Sequence, residues 1–200
     1  MKRLGILLSG RGSNFVAIAS AIREARLPGA EIAVVLSNKP EAPGLSVARD
    51  MGLRAEAIPS AGRKRVEHDA EMIATLIKNG VDLVCLAGYM RILTPEFVRA
   101  FPNRILNVHP ALLPAFPGLE VQAQALVYGV KVAGCTVHFV DEAVDHGAIV
   151  IQRTVPVLDD DTPESLSARI LVEEHIAYPE AIARVIGGEY RFEGRRYVRG

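Results

Sequence analysis

The sequence predicts an α/β fold, and three observations carry that expectation. Short apolar runs rich in β-formers alternate with amphipathic stretches from the first residues onward. A glycine-rich turn joins the first run to the first amphipathic stretch. Several runs are continuously apolar rather than alternating, as strands covered on both faces are. Residues 4–8 read as the first buried strand, followed by a glycine loop and a helix over about 14–25. Residues 32–36 form the second strand. Pro43 opens a short helix over 43–51, which Gly52 caps. Residues 54–58 supply a third strand. Met72, Ile73, Leu76 and Ile77 recur at helical spacing within 66–79, and Gly80 ends that helix. A strand over 81–87, a short helix over 95–100 and a strand over 105–108 continue the rhythm.

The texture changes after Pro110. Residues 111–118 hold two prolines and a glycine and read as an ordered loop, and 121–128 as a helix. Two long strands, 132–140 and 149–157, have a short connection, which makes them antiparallel. Asp161 or Thr162 caps a long helix with Pro163 in its first turn, running to about residue 186. The tail over 190–198, around Gly194, reads as a small hairpin. The expected architecture is Rossmann-like: a mostly parallel twisted sheet with helices on both faces and a late antiparallel strand pair. With no internal repeat, linker or low-complexity segment, residues 1–200 read as a single domain.

Composition narrows the function classes. Half of the 200 residues are hydrophobic, enough to bury a sizeable core. Lys plus Arg and Asp plus Glu both number 23, so no global field draws the chain to nucleic acid, although a local phosphate site stays open. Cys85 and Cys135 each sit inside an apolar run and read as buried, inert hydrophobes. No CxxC or HxxxH spacing points to a metal. The apolar run over 4–8 is too short for a signal peptide and opens straight into the glycine loop, so cytoplasmic residence is the default expectation, with no membrane span.

Three groups of residues carry candidate chemistry. Ser9-Gly10-Arg11-Gly12-Ser13-Asn14 follows a buried strand and opens a helix, where free N–H groups and the positive dipole end suit a phosphate. It lacks the spacing of a P-loop. It is also a poor dinucleotide fingerprint, because Phe15 stands at the third glycine position. A tight turn capped by Ser13 or Asn14 is the competing reading. Asn107 and His109 lie two apart at the carboxyl end of a strand, on one face, where an amide could stabilise an oxyanion and an imidazole could move a proton. A histidine satisfying loop backbone is the competing reading there. Asp145, before His146-Gly147, occupies the turn between the late strands; a turn role and a partnership with His109 both stay open. Of the other histidines, His68 reads as a helix-surface residue and His138 lies within a strand. On the last helix, Leu166, Ile170, Ala177, Ala181 and Val185 make an apolar arc, and Glu174 falls near its middle. A carboxylate there must meet a cation or line a site.

Taken in order, Ser9 through Asn14, Leu86-Ala87-Gly88-Tyr89-Met90-Arg91-Ile92-Leu93, Asn107-Val108-His109-Pro110-Ala111-Leu112-Leu113-Pro114, residues 134–140 with Asp145 and Gly147, and Glu174-His175 resemble the phosphoribosylglycinamide formyltransferase family, folate-dependent transferases of purine biosynthesis. The resemblance covers roughly residues 4 to 186. It implies transfer of a formyl group from the co-substrate 10-formyltetrahydrofolate to glycinamide ribonucleotide, without a metal. It makes His109 the proton donor, Asn107 the oxyanion partner and Asp145 the group that raises the histidine pKa. Gly12, Ser13 and Asn14 would hold the ribonucleotide phosphate, and Glu174 would meet its amine. Met90, Arg91, Ile92 and Leu93, with Asn107 and Arg65, would bind folate. Leu171 and Glu120 depart from the commoner pattern, which bears on substrate contacts rather than on the reaction. A homodimer is left open.

Three other readings compete with this one. Methionyl-tRNA formyltransferase would call for a further basic RNA-binding domain. Formyltetrahydrofolate deformylase shares the Asn-x-His core but usually adds an N-terminal regulatory domain. A non-catalytic nucleotide- or folate-binding module would not require Asn107, His109 and Asp145 together.

Overall fold

Continuous apolar runs become parallel strands in the first half of the chain, as a computed structural model describing residues 1–200 shows. β1 (Lys2–Leu8) pairs in parallel with β2 (Ala30–Ser37) and β4 (Leu83–Leu86), β2 with β3 (Ala55–Ala57), and β4 with β5 (Ile105–His109). Helices α1 (Ser13–Arg23), α2 (Pro43–Asp50), α3 (Arg65–Lys78) and α4 (Pro95–Ala100) alternate with them. On α1, Phe15, Ile18 and Ala21 recur every third residue and are fully buried. Each large side chain so placed stabilises the packed state by about 1.5–3 kcal/mol. The chain divides into two compact units, residues 1–107 and residues 108–200.

The second unit holds α5 (Val121–Tyr128), the antiparallel pair β6 (Val132–Phe139) and β7 (Ile149–Pro156), the long α6 (Pro163–Gly187), and a separate hairpin of β8 (Tyr190–Glu193) and β9 (Arg196–Arg199). Thr162, not Asp161, is the N-cap of α6. Its hydroxyl accepts from Ser165 N while Ser165 Oγ accepts from Thr162 N, a reciprocal capping box with Pro163 inside it. Asp161 instead receives the Arg169 guanidinium at 2.7 Å, which holds its carboxyl well below the usual range. Seven strands make one mostly parallel mixed sheet in the order β3-β2-β1-β4-β5-β6-β7. The fold class expected from sequence is the one observed, and Cys85 and Cys135 are buried in β4 and β6. No helix is long and apolar enough to cross a membrane.

Candidate active site

In the first unit, the glycine loop is shaped by close packing. Gly12 sits in the left-handed region at φ 73° and is itself the N-cap of α1, with no side-chain cap bond. The competing reading, a turn capped by Ser13 or Asn14, is not what the structure shows: both residues lie inside the helix, where a side chain no longer reaches the first-turn N–H groups in cap geometry. A Cβ at Gly12 would approach Leu8 Cδ2 to 3.0 Å, so bulk is excluded as well as strained. Gly44 N donates to Gly10 O at 3.1 Å, holding the loop against the start of α2. Asn14 is buried and Ser13 half-buried.

The same unit carries segment 90–93. Met90 and Ile92 expose 69% and 58% of their surfaces, while Arg91 and Leu93 are half-buried. Arg65 is exposed at the first position of α3. His68 is not a surface residue. It is fully buried, its Nε2–H donating to Ile58 O at 2.9 Å and its Nδ1 lying 3.3 Å from Asp69 Oδ1. The apolar stripe of α3 failed to predict this because the ring is satisfied by a carbonyl from outside the helix. Asn107, half-buried, ends the unit on β5.

In the second unit, His109 is 4% exposed at the end of β5. Its Nε2–H donates to Phe116 O at 2.8 Å, and its Nδ1 lies 3.6 Å from Asp145 Oδ2. Both ring nitrogens thus face oxygen atoms. Asp145 Oδ2 also accepts from Gly118 N at 2.9 Å, and Oδ1 lies 3.8 Å from His138 Nε2. Burial pushes the His138 imidazole below its ordinary pKa, against smaller opposing effects from the Phe139 carbonyl and Asp145. Asp145 itself adopts φ 50°, and a Cβ at Gly147 would stand 1.9 Å from Phe139 O, so the turn admits only glycine there. Thr136 fixes the loop after β5: its hydroxyl donates to Ala111 O at 2.7 Å and accepts from Leu113 N at 3.0 Å. Neither Thr136 nor His138 stood out in the sequence; only their burial as polar residues within a strand marks them. Glu174 is buried on α6, as the helical arc predicts, whereas Glu173 pairs with Arg153 at 3.3 Å. Burial, followed by the charge of Glu174, pushes the Cys135 thiol up to about 12, which keeps it an inert hydrophobe.

A buried imidazole between two acceptors at a strand end has the chemistry to move a proton, and comparison identifies the setting. A profile of the formyl transferase family matches residues 2–182. The chain belongs to the formyl transferase family. It is 47% identical over 189 residues to the trifunctional purine biosynthetic protein adenosine-3 of Drosophila melanogaster, covering 94% of this chain but 14% of that protein. The chain therefore spans about one seventh of the length of that relative. It is 40% identical over 187 residues to the phosphoribosylglycinamide formyltransferase of Escherichia coli (strain K12), covering 93% of this chain and 88% of that one. Among solved structures, glycinamide ribonucleotide transformylase 1 from Symbiobacterium toebii superposes with a TM-score of 0.97 at 53% identity, covering 100% of this chain and 94% of that one. This member of the formyl transferase family thus shares its fold over its full length with that transformylase.

Proposed function

We propose that this formyl transferase moves the formyl group of 10-formyltetrahydrofolate to the amine of glycinamide ribonucleotide, a step of purine biosynthesis, with residues 1–200 acting as one formyltransferase domain. The observation that carries the reading is His109, buried and placed within 3.6 Å of the Asp145 carboxylate, in a chain matched by the formyl transferase family over residues 2–182.

The substrate amine attacks the formyl carbon, and the carbonyl oxygen takes up negative charge. The Asn107 amide and the His109 N–H are the donors proposed for that oxyanion. The C–N bond to folate then breaks as His109 protonates the departing nitrogen, and the proton shed by the attacking amine returns to the imidazole through water; no group on the enzyme becomes covalently attached. For this, Nε2–H exchanges its acceptor, Phe116 O, for the substrate. Asp145 steadies the imidazolium electrostatically and orders a water that relays protons. Gly12, Ser13 and Asn14 receive the ribonucleotide phosphate at the uncapped start of α1. Glu174 faces the amine end of that substrate. Met90, Arg91, Ile92 and Leu93, with Asn107 and Arg65, receive folate. No metal takes part in this scheme, and the setting proposed is the cytoplasm.

The test is release of tetrahydrofolate from 10-formyltetrahydrofolate with and without glycinamide ribonucleotide. Release that depends on the amine is the expected result. Equal release without it would make the chain a hydrolase and overturn the proposal.

A further inference from the structure

We infer that Ser9 and Asp69 are positioning residues that fix the two ends of segment 90–93, acting on folate recognition through its backbone. The inference rests on the folate reading of that segment given above.

Segment 90–93 has an unusual combination of features. Met90 and Ile92 thrust apolar side chains outward at 69% and 58% exposure, yet the flanking Tyr89 and Thr94 are buried. Exposed loop tips ordinarily have few ties and low local stability. Here both ends are tied to buried side chains of the same unit. Met90 N donates to Ser9 Oγ at 2.8 Å, and Thr94 N donates to Asp69 Oδ2 at 2.8 Å.

Each anchor is itself oriented. Ser9 Oγ gives its proton to Asn38 Oδ1 at 2.6 Å, which leaves a lone pair for Met90 N, and Asn38 Nδ2 donates to Ser60 Oγ at 3.1 Å. Ser9 N donates to Gly88 O at 3.0 Å, a second link to the start of the segment. At the other end, the second oxygen of Asp69 lies 3.3 Å from His68 Nδ1, whose ring is held by Ile58 O. Thr94 then caps α4 by accepting from Phe97 N at 3.3 Å.

Neither anchor is explained by the element it belongs to. Asp69 is 1% exposed within α3, where aspartate is a poor helix former, and no lysine or arginine pairs with it. A buried carboxylate is tolerated when it is hydrogen-bonded, and its strong bond here goes to a backbone N–H at the end of the exposed segment. Ser9 is both the anchor of Met90 and the first residue of the glycine loop, so one hydroxyl joins the proposed phosphate loop to the proposed folate segment. Holding the backbone in its binding conformation before the ligand arrives lowers the ordering cost of binding.

The experiment compares wild type with Ser9→Ala, Ser9→Cys, Asp69→Asn and Asp69→Ala. Amide hydrogen exchange at Met90 and Thr94 is read alongside KM for each substrate and kcat. In Ser9→Ala the Met90 amide should exchange several-fold faster. KM for 10-formyltetrahydrofolate should rise about three- to tenfold, the scale of one hydrogen bond, a larger change than in kcat or in KM for glycinamide ribonucleotide. Cysteine, a weak acceptor of similar size, should fall between serine and alanine. Asp69→Ala should loosen Thr94 in the same way. Asp69→Asn, which keeps one acceptor oxygen, should do so less, and it carries the comparison if the alanine variant does not fold. Unchanged exchange at Met90 and unchanged folate KM in a folded Ser9→Ala protein would overturn the inference. So would a fall in kcat with both KM values unaltered. If wild type fails to consume 10-formyltetrahydrofolate, the functional reading fails, while exchange at Met90 and Thr94 still decides whether the anchors exist.

Discussion

The two units bring different kinds of residue to the proposed reaction. In residues 1–107 the candidate groups follow parallel strands and offer mainly backbone: a glycine in the left-handed region, an uncapped helix start, and a segment whose N–H groups are tied down by buried side chains. In residues 108–200 they are titratable side chains: His109 and His138 are brought to 3.6 and 3.8 Å from the Asp145 carboxylate by an antiparallel pair and two loops. On the proposed function, the difference teaches that recognition draws mainly on chain conformation, while proton transfer draws on side chains that meet only after folding. Apart from Asn107, a proposed oxyanion donor in the first unit, and Glu174, a proposed substrate contact in the second, substitutions in the second unit should therefore act on turnover and those in the first on affinity.

The largest effect should come from His109→Ala, which removes the proposed acid. Turnover should fall by at least about a hundredfold, with the loss of one hydrogen bond to Phe116 O costing about 1 kcal/mol of stability. Steady-state kinetics on a protein with a native melting profile decides it; near-native turnover would return the histidine to a loop-capping role. Asp145→Asn keeps the size of the turn residue but removes its charge. A drop of about ten- to a hundredfold in kcat should follow, the worth of a hydrogen bond to a charged group. Wild-type kcat would make Asp145 a turn residue only.

Gly12→Ala sharpens the comparison from the other side. The methyl group meets Leu8 Cδ2 at 3.0 Å and sits at φ 73°, so about 1 kcal/mol of stability should be lost. Calorimetry should find glycinamide ribonucleotide weakened about tenfold and folate little changed, because only the phosphate loop is distorted. Equal weakening of both ligands would erase the distinction between the two substrate sites.

The smallest effect concerns stability alone. Burial lowers the His138 pKa in the folded chain, so the unfolded chain binds that proton more readily. Stability is then undiminished above about pH 6.5 and declines as the pH falls below it. Half-buried His175 is lowered in the same way by desolvation and adds to the slope. Denaturant titrations at pH 7.5 and pH 5 should show a smaller loss for His138→Gln than for wild type, and equal losses would contradict the assignment.

Much of the fold was legible because periodicity and punctuation agree. Gly52 and Gly80 end their helices at positive φ, and Pro163 marks the first turn of α6. Glu174 was legible for the same reason: a carboxylate in an apolar arc stands out on any helical projection. The pairing of His109 with Asp145 was not legible from the residues, since no local rule brings a strand end to a distant turn; only the resemblance implied it. His68 was misread because a helical projection shows which side chains are apolar, not which polar ones meet a carbonyl from another segment. The anchors Ser9 and Asp69 were invisible because their partners are backbone N–H groups, which every residue but proline carries.

The central claim, that His109 acts in the chemistry and not in recognition, is tested most directly by calorimetric titration of His109→Ala with glycinamide ribonucleotide and, separately, with 10-formyltetrahydrofolate. The account predicts that both ligands bind within a factor of about three of their wild-type affinities while transfer is lost. A loss of affinity for either ligand as large as the loss of turnover would contradict it.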